Sequence, residues 1–280
     1  MQTINRKSLL YRGEVEYADF CLNHVEGCAH GCKFPCYAMQ LAKRFGKIKN
    51  IEEWMQPKLV SNALELLEKE LPKHKGKINF VHLCFMTDPF MYRYPEVREM
   101  TLKIIQKLNA NNIKVTSLTK GIVPRKLVDK STYSEDNEYG ITLVSLDDKF
   151  HRNFEQNSAP YKKRINALRY LSKSGCKTWV SMEPYPTPNL VEQDLLEILE
   201  TISFVDKIVF GKLNYNVKST QFKYNQEFYH KCVEIVKAFC KKHNIEYHIK
   251  EGTIKDGYVA STERLFQCPD PLPAPVCTLL

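Results

Sequence analysis

Three closely spaced cysteines are the residues of this sequence best suited to chemistry. Cys28, Cys32 and Cys36 lie in the segment CAHGCKFPCY, which ends at Tyr37. Thiolates are soft ligands that bind iron–sulfur clusters, zinc or Cu(I). A 4Fe-4S cluster commonly takes four cysteines, so a set of three leaves one iron open to a substrate or cofactor. The spacing therefore favours a reactive 4Fe-4S cluster over a purely structural site.

Composition limits the class of protein. The 280 residues, of which 43% are hydrophobic, suit one large α/β domain or two small ones. The sequence holds no run of 18 apolar residues, and its start, MQTINRKSLL, lacks the apolar stretch of a signal peptide. Ten cysteines without such a signal indicate metal or redox use in a reducing compartment, and we expect a cytoplasmic protein with no membrane contact.

Apolar runs alternate with helical patterns along the chain. The predicted strands lie at 18–23, 78–85, 113–118, 139–145, 176–182, 207–213 and 246–249. The predicted helices lie at 37–46, 57–72, 96–110, 124–130, 160–173, 192–203 and 225–242. Alternation of this kind implies a parallel sheet with crossover helices. We therefore predict an α/β fold, a partial (β/α)6 barrel of the TIM type with helices outside. It spans 18–250, between an irregular lead-in at 1–17 and an irregular tail at 251–280 on or near the barrel mouth.

Polar residues follow the predicted strands, where a parallel barrel carries its chemistry. From strand to strand they are Cys28, Thr87 with Asp88, Thr119 with Lys120, Ser145 with Asp147, Glu183, and Lys212 with Asn214. We expect these side chains to converge on one mouth of the barrel.

The cysteine segment resembles the cluster-binding loop of radical S-adenosylmethionine (SAM) enzymes. The pattern of that family is Cys-x3-Cys-x2-Cys, and this sequence has one extra residue between Cys32 and Cys36. Over about residues 20–215, the segments FMTDPF, SLTKG, ITLVSLDD and VSMEPYP are similar to the spore photoproduct lyase-like branch of the family. The resemblance implies a 4Fe-4S cluster on Cys28, Cys32 and Cys36, with SAM bound at its unique iron.

The implied reaction is a reductive cleavage of SAM. One electron from the cluster breaks the bond to sulfur, and the 5′-deoxyadenosyl radical then abstracts a hydrogen atom from the substrate. The implied partners are SAM and a one-electron reductant such as a flavodoxin or ferredoxin. The substrate itself is not given by the resemblance.

The resemblance also assigns cofactor contacts. Thr87 and Asp88 would meet the amino and ribose parts of SAM, and Lys120 would pair with its carboxylate. Ser145 would hydrogen-bond SAM, and the backbone near Tyr37 would meet adenine. The alternatives are an Asx-Pro turn for Asp88 and a solvated loop lysine for Lys120.

Two further residues are candidates for the catalytic step. Glu183 would contact substrate or SAM, or it is a buried carboxylate paired with an arginine such as Arg164. Cys84 lies near where the hydrogen-donating cysteine of spore photoproduct lyase would sit, although a core thiol is the simpler interpretation. Cys268 and Cys277 flank the tail segment CPDPLPAPVC and could ligate a second cluster or quench a radical.

Two alternative functions stay open. The first is a radical SAM lyase of DNA or RNA lesions, or a base modifier. Basic residues cluster at 72–77, 120–130, 161–164 and 237–242, with aromatic residues interspersed, and the formal charge is +9. Such a surface suits single strands or flipped bases, and it is equally typical of an ordinary solvated surface.

The second alternative is a non-catalytic nucleic-acid-binding module that holds zinc or a cluster. In that case Cys21 or His30 would complete a zinc site with the three cysteines.

Overall fold

The computed structural model describes residues 1–15, 18–74 and 76–254. Its strands are β1 (Gln2–Ile4), β2 (Leu10–Val15), β3 (Ala18–Leu22), β4 (Val25–Glu26), β5 (Lys58–Val60), β6 (Phe80–Leu83), β7 (Lys114–Thr119), β8 (Glu138–Thr142), β9 (Lys177–Tyr185), β10 (Lys207–Lys212) and β11 (Glu246–Ile249). Its α-helices are α1 (Tyr37–Arg44), α2 (Ile51–Trp54), α3 (Ala63–Glu70), α4 (Pro95–Asn109), α5 (Asp148–Phe154), α6 (Tyr161–Lys173), α7 (Leu195–Thr201), α8 (Val217–Thr220) and α9 (Asn225–His243). Among the described residues, no helix combines the length and the apolar character needed to cross a membrane.

One large sheet organises the molecule. Its strand order is β11-β10-β9-β8-β7-β6-β3-β2, parallel from β3 to β11, with β2 antiparallel to β3 at one edge. Within the described residues β2 and β11 form the two edges, so the sheet stays open. This confirms the predicted α/β fold with a partial parallel barrel.

The inner parallel strands β6 to β10 are largely buried on both faces, whereas the edge strand β11 is partly exposed. The side chains at their centres are fully buried: Val81, Val115, Ile141, Val180 and Ile208. Crossover helices cover the outside with apolar faces at helical spacing, as Val97, Ile104 and Leu108 of α4 show.

The lead-in is more ordered than the sequence predicted. Strand β1 pairs with β5, and β5 with β4, in a separate three-stranded sheet, while β2 extends the large sheet. The helix predicted at 57–72 was wrong at its start, because Leu59 lies between Thr3 and Val25 as a strand residue. Helix α3 begins only at Ala63. The predicted packing of the tail, with Cys268 and Cys277, lies outside the described residues.

Candidate active site

The three cysteines of the CAHGCKFPCY segment line one cavity at the carboxyl ends of the parallel strands. Its volume is about 470 Å³, within the range usual for small-molecule sites. Besides the cysteines, its polar wall includes His30, His82, Thr87, Asp88, Lys120, Thr142, Ser181, Glu183, Lys212, Asn214 and Lys250. The predicted convergence of strand-end residues is therefore largely present in the structure.

Two glycines set the path of the cysteine loop. Gly27 and Gly31 have φ angles of +83° and +54°, a region that glycine enters without steric cost. A Cβ on Gly27 would lie 2.7 Å from the Trp54 carbonyl oxygen, and one on Gly31 would lie 2.6 Å from Met55 Sδ. The Cys28 N–H donates to that same Trp54 carbonyl at 2.9 Å. The loop thus packs directly on the end of α2.

The extra residue between Cys32 and Cys36 has a structural use. Phe34 is buried, with its ring centroid 5.2 Å from that of Phe154 and 5.7 Å from that of Phe150. The Lys33 N–H donates to the Phe154 carbonyl at 2.9 Å. The longer spacing therefore anchors the loop to α5.

Truncating this anchor should loosen the loop. We expect Phe34→Ala to lower the free energy of unfolding by about 3–5 kcal/mol, the usual cost of removing a buried aromatic ring. We also expect a lower iron content after anaerobic reconstitution, because Cys32 and Cys36 flank the lost anchor. Thermal unfolding and iron analysis measure both effects. Phe45→Ala, at the exposed residue that follows α1, is the control, and an equal loss in that variant would contradict the anchor.

The thiols of Cys28 and Cys32 have raised pKa values, which favours their protonated forms. Burial raises the pKa of Cys28 well above its usual range, and the Asp88 carboxylate adds to this rise. Burial also raises the pKa of Cys32 to about 12, although Lys120 partly offsets the effect. Binding of iron would displace these protons, since the thiolate is the ligand. Three half-buried thiols that line one cavity of about 470 Å³ fit a 4Fe-4S cluster with an open iron.

Neither candidate for a fourth zinc ligand is available. His30 Nε2 accepts a hydrogen bond from the Tyr92 N–H at 3.0 Å, and its Nδ1 lies 3.5 Å from Asp88 Oδ2. Burial lowers the pKa of His30 to about 4, so the ring is neutral and its proton lies on Nδ1. Cys21 is fully buried in β3 and does not line the cavity. In the described part of the chain, no three His, Cys, Asp or Glu side chains are arranged to hold a single metal ion.

Asp88 ties the ends of two strands to the cysteine loop. Its carboxylate accepts hydrogen bonds from the Phe90 N–H at 2.9 Å, the Thr119 hydroxyl at 2.6 Å and the Lys120 N–H at 2.7 Å. The bond to Phe90 is the Asx turn that the sequence left open as the alternative. Both carboxylate oxygens of the buried Asp88 accept hydrogen bonds, so Asp88 stabilises the wall of the cavity.

Lys120 belongs to a buried ionic triad that the sequence did not reveal. Its ammonium lies 2.5 Å from Glu155 Oε1, and the Arg164 guanidinium lies 2.7 Å from Glu155 Oε2. Burial raises the pKa of Glu155, but Arg164 and Lys120 outweigh it and bring the pKa down to about 2. Lys120 is therefore not a solvated loop lysine, and Arg164 pairs with Glu155 instead of Glu183. Both partners lie in the stretch NFEQNSAPYKKRINAL, where nothing in the sequence indicates that they meet.

Glu183 has a different neighbour. Its Oε2 lies 3.9 Å from the Lys250 ammonium. A Cβ on Gly211 would lie 2.9 Å from Glu183 Cδ and 3.0 Å from Lys250 Cγ, so glycine makes room for both side chains. The carboxylate lines the cavity, as the substrate-contact interpretation requires.

Cys84 is both a buried thiol and a cavity residue. It has a φ of +56° and lies 3.4 Å from His24 Nδ1, while His24 Nε2 lies 2.8 Å from the Thr101 hydroxyl oxygen. The Thr101 hydroxyl donates to a carbonyl, so His24 donates from Nε2 and accepts the Cys84 S–H at Nδ1. Burial raises the pKa of Cys84 to about 12, which keeps this thiol protonated.

The remaining predicted contacts divide into two groups. Tyr37 and Thr87 line the cavity, and the Tyr37 hydroxyl donates to the Phe85 carbonyl. Ser145 lies outside the cavity wall and accepts a hydrogen bond from the Asp147 N–H at 3.0 Å. Strand β8 ends three residues earlier than predicted, so its cavity residue is Thr142.

Two known proteins are similar to this chain along much of its length. "Uncharacterized protein MJ0683" of Methanocaldococcus jannaschii is 27% identical over 235 residues, which cover 83% of this chain and 85% of that protein. "Uncharacterized protein ORF301" of Acidianus two-tailed virus is 27% identical over 192 residues, which cover 65% of this chain and 61% of that protein. The chain thus spans less than two thirds of ORF301.

Solved structures of spore photoproduct lyase share the fold. The enzyme complexed with dinucleoside spore photoproduct superposes with a TM-score of 0.64 and 13% identity, covering 88% of this chain and 80% of that chain. A mutant with bound AdoMet and the same dinucleoside gives a TM-score of 0.62 and 12% identity, with the same coverage. At this level of identity the likeness concerns the fold alone.

The sequence model of the radical SAM superfamily matches residues 22–202, which is more than half of the chain. The matched region contains the cysteine loop, strands β6 to β9 and the triad of Lys120, Glu155 and Arg164. This match agrees with the three thiols that share a cavity at the ends of the parallel strands. The chain accordingly belongs to the radical SAM superfamily, whose enzymes use a 4Fe-4S cluster and S-adenosylmethionine.

Proposed function

We propose that this protein reductively cleaves SAM beside Cys28, Cys32 and Cys36 and removes a hydrogen atom from an organic substrate in the same cavity. The observation that carries the proposal is that these three thiols share one cavity with the polar ends of the parallel strands. When bound, the cluster supplies one electron to SAM, which yields methionine and a 5′-deoxyadenosyl radical.

The residues of this chain would hold and orient SAM. An ammonium has three donors, so Lys120 can reach the SAM carboxylate while one donor stays on Glu155. Thr87 and Asp88 are the proposed contacts to the amino and ribose parts, and the backbone near Tyr37 is the proposed contact to adenine. Trp54, Phe85 and other apolar residues of the wall exclude water and stray hydrogen donors.

Two cavity residues are proposed to act on the substrate. Cys84 would return a hydrogen atom to the substrate radical, and its raised pKa keeps the required S–H bond intact at neutral pH. The thiyl radical left on Cys84 would then take one electron from the one-electron reductant and a proton from solvent. Glu183, held between Lys250 and Gly211, would contact the substrate.

Anaerobic reconstitution with iron and sulfide tests the proposal. We expect a brown protein that absorbs broadly near 400 nm, as iron–sulfur clusters do, and holds about four irons per chain. With dithionite and SAM it should form 5′-deoxyadenosine and methionine in equal amounts. A fully loaded protein that forms no 5′-deoxyadenosine would contradict the proposed reaction. A colourless protein with one bound zinc would favour the non-catalytic module.

A nucleic-acid substrate is the second candidate, and three residues that line the cavity favour it. Lys212 and Lys250 line the cavity together with Tyr215, a residue that is 77% exposed. Among the described residues, Lys212 forms no hydrogen bond or ion pair through its ammonium group. Ammonium groups bind phosphate, and exposed aromatic rings stack on unpaired bases.

Binding of a short oligothymidylate at several salt concentrations tests this candidate. We expect Lys212→Met to lower the slope of log affinity against log salt by about one unit, the effect of one lost phosphate contact. Lys241→Met, on the exposed end of α9, is the matched control and should leave the slope unchanged. If the wild-type protein fails to bind the oligomer even at low salt, this candidate is excluded.

The proposed reaction also requires an electron source. We propose a small one-electron reductant such as a flavodoxin or ferredoxin, because cleavage of SAM consumes one electron. Thiolate ligands need reducing surroundings, which supports the expectation of a cytoplasmic protein.

A further inference from the structure

A second groove lies next to the cysteine loop, on the outer side of the barrel. It has a volume of about 680 Å³ and is lined by residues of the segments 90–99, 122–126 and 163–167, together with Leu102. It carries five exposed cationic side chains and one carboxylate: Arg93, Arg98, Arg125, Lys126, Lys163 and Glu99. We call this surface the basic groove. Its charge suits an acidic partner.

The charges of the basic groove are largely uncompensated. Arg93, in a left-handed conformation with a φ of +67°, places its guanidinium 5.3 Å from the centre of the Tyr92 ring. Arg125 lies 4.7 Å from the centre of the Tyr170 ring. Stacking on a ring orients a guanidinium without neutralising it. Within the described residues, the ammonium groups of Lys126 and Lys163 form no ion pair, and only Arg98 has a carboxylate neighbour, at 3.3 Å.

The wall of the basic groove is joined directly to the loop that carries the cysteines. The Tyr92 N–H donates to His30 Nε2 at 3.0 Å, and His30 lies between Cys28 and Cys32. The Ala29 N–H donates to Met91 Sδ at 3.4 Å. A protein seated on this wall would therefore lie beside the cluster loop.

The basic groove and the active-site cavity have no lining residue in common. A molecule in the groove would leave the cavity free for SAM and substrate. A substrate must enter the cavity, whereas an electron donor needs only to come close to the cluster. This separation favours a donor protein over a nucleic-acid strand as the occupant.

We infer that the basic groove docks a small acidic electron-transfer protein, an inference that rests on the proposed SAM-cleaving function. One electron passes from the carrier to the cluster, the carrier is oxidised by one electron, and no atom is transferred. The cations of the groove steer the acidic carrier and set its orientation. The affinity should fall steeply with ionic strength.

The test reverses two charges that make no ion pair within the described structure. Lys126→Glu/Lys163→Glu changes the basic groove, and Lys241→Glu/Lys242→Glu on the exposed end of α9 changes the net charge by the same amount. Calorimetry with a purified acidic flavodoxin measures the dissociation constant at several salt concentrations. We expect the groove variant to bind about tenfold more weakly at low salt, with a shallower salt dependence, and the control to bind nearly as the wild type.

A second readout compares two sources of electrons. With reduced flavodoxin, the groove variant should form 5′-deoxyadenosine about tenfold more slowly at subsaturating carrier. With dithionite, which needs no docking, its rate should equal that of the wild type. Equal losses with both donors would overturn the inference, because the defect would then lie in the site itself.

The flavodoxin affinity tests whether the carrier binds the basic groove, even if the protein does not cleave SAM. Unchanged flavodoxin affinity in the groove variant, or an equal loss in the control variant, would overturn the inference. The inference would also be overturned if the groove variant lost oligothymidylate binding but kept flavodoxin binding. That result would show that the basic groove binds nucleic acid.

Discussion

Replacing Cys32 by alanine is expected to reduce the iron of the reconstituted protein from about four ions per chain to about one or fewer. Cys32 lies at the centre of the CAHGCKFPCY segment, and its half-buried thiol lines the cavity together with the thiols of Cys28, Cys36 and Cys84. Two thiols on one loop would not retain the cluster. SAM cleavage should then fall below detection. Iron and sulfide analysis, absorbance near 400 nm and 5′-deoxyadenosine formation measure these losses.

Two other cysteines provide matched controls. Cys84→Ala removes a thiol from the same cavity, and Cys176→Ser removes one that does not line it. Both variants should keep the full iron content and the dithionite-driven cleavage of SAM. If Cys32→Ala keeps its iron, the ligand assignment is wrong. If Cys84→Ala loses its iron, Cys84 is a ligand and not a hydrogen donor.

The parallel core of the fold could be predicted because its signal is local. The inner parallel strands are short and largely buried on both faces, and each parallel strand was predicted to within three residues of its observed bounds. The helices that follow carry apolar faces at regular spacing. The hydrophobic patterns of single segments therefore predict the same strands and helices that the parallel sheet contains.

The small sheet could not be predicted in the same way. Strands β1 and β5 have only three residues each, and they pair across a sequence separation of more than fifty residues. So short a strand gives no alternation to detect, and its stability comes from its partner. Leu59 and Val60 were therefore assigned to the helix that follows them.

The residues of the cavity were partly predictable, because several of them follow parallel strands in the sequence. The cysteines, Thr87 and Lys120 lie on the loops that follow parallel strands, and the topology brings these loops together. Glu155 lies on the connection between β8 and α6, and its position depends on how that connection folds over the barrel. The basic groove combines the predicted basic clusters at 120–130 and 161–164 with arginines near 95, which only the tertiary structure brings together.

Replacing Glu155 by glutamine should give the largest loss of stability outside the core. The substitution keeps the shape of the side chain but leaves the fully buried Arg164 guanidinium without a counter-charge. Breaking a buried ion pair in this way usually costs about 3–5 kcal/mol of unfolding free energy. For a chain of this size the melting temperature should fall by about 10 °C. Scanning calorimetry on protein without metal measures the effect apart from cluster loading.

The double variant Glu155→Leu/Arg164→Met tests the origin of that loss. Removing both charges should recover most of the stability, since an apolar pair of similar volume is often at least as stable as a buried ion pair. If the double variant is as unstable as Glu155→Gln, the loss comes from packing and not from the unpaired charge. The same double variant leaves Lys120 without its carboxylate, so the affinity for SAM should change while stability is restored.

The pH dependence of stability gives an independent test of the same triad. The pKa of Glu155 falls from an ordinary carboxylate value of about 4.5 to about 2 on folding. A group with a lowered pKa in the folded state stabilises it at pH values above the unfolded pKa, and this contribution is lost as the pH falls through the folded pKa. The stability difference between the wild type and Glu155→Gln should therefore be full at pH 7 and shrink between about pH 4.5 and pH 2. Urea unfolding at a series of pH values measures this difference. A difference that stays constant down to pH 2 would show that the ionised carboxylate of Glu155 is not what balances the charges of Arg164 and Lys120.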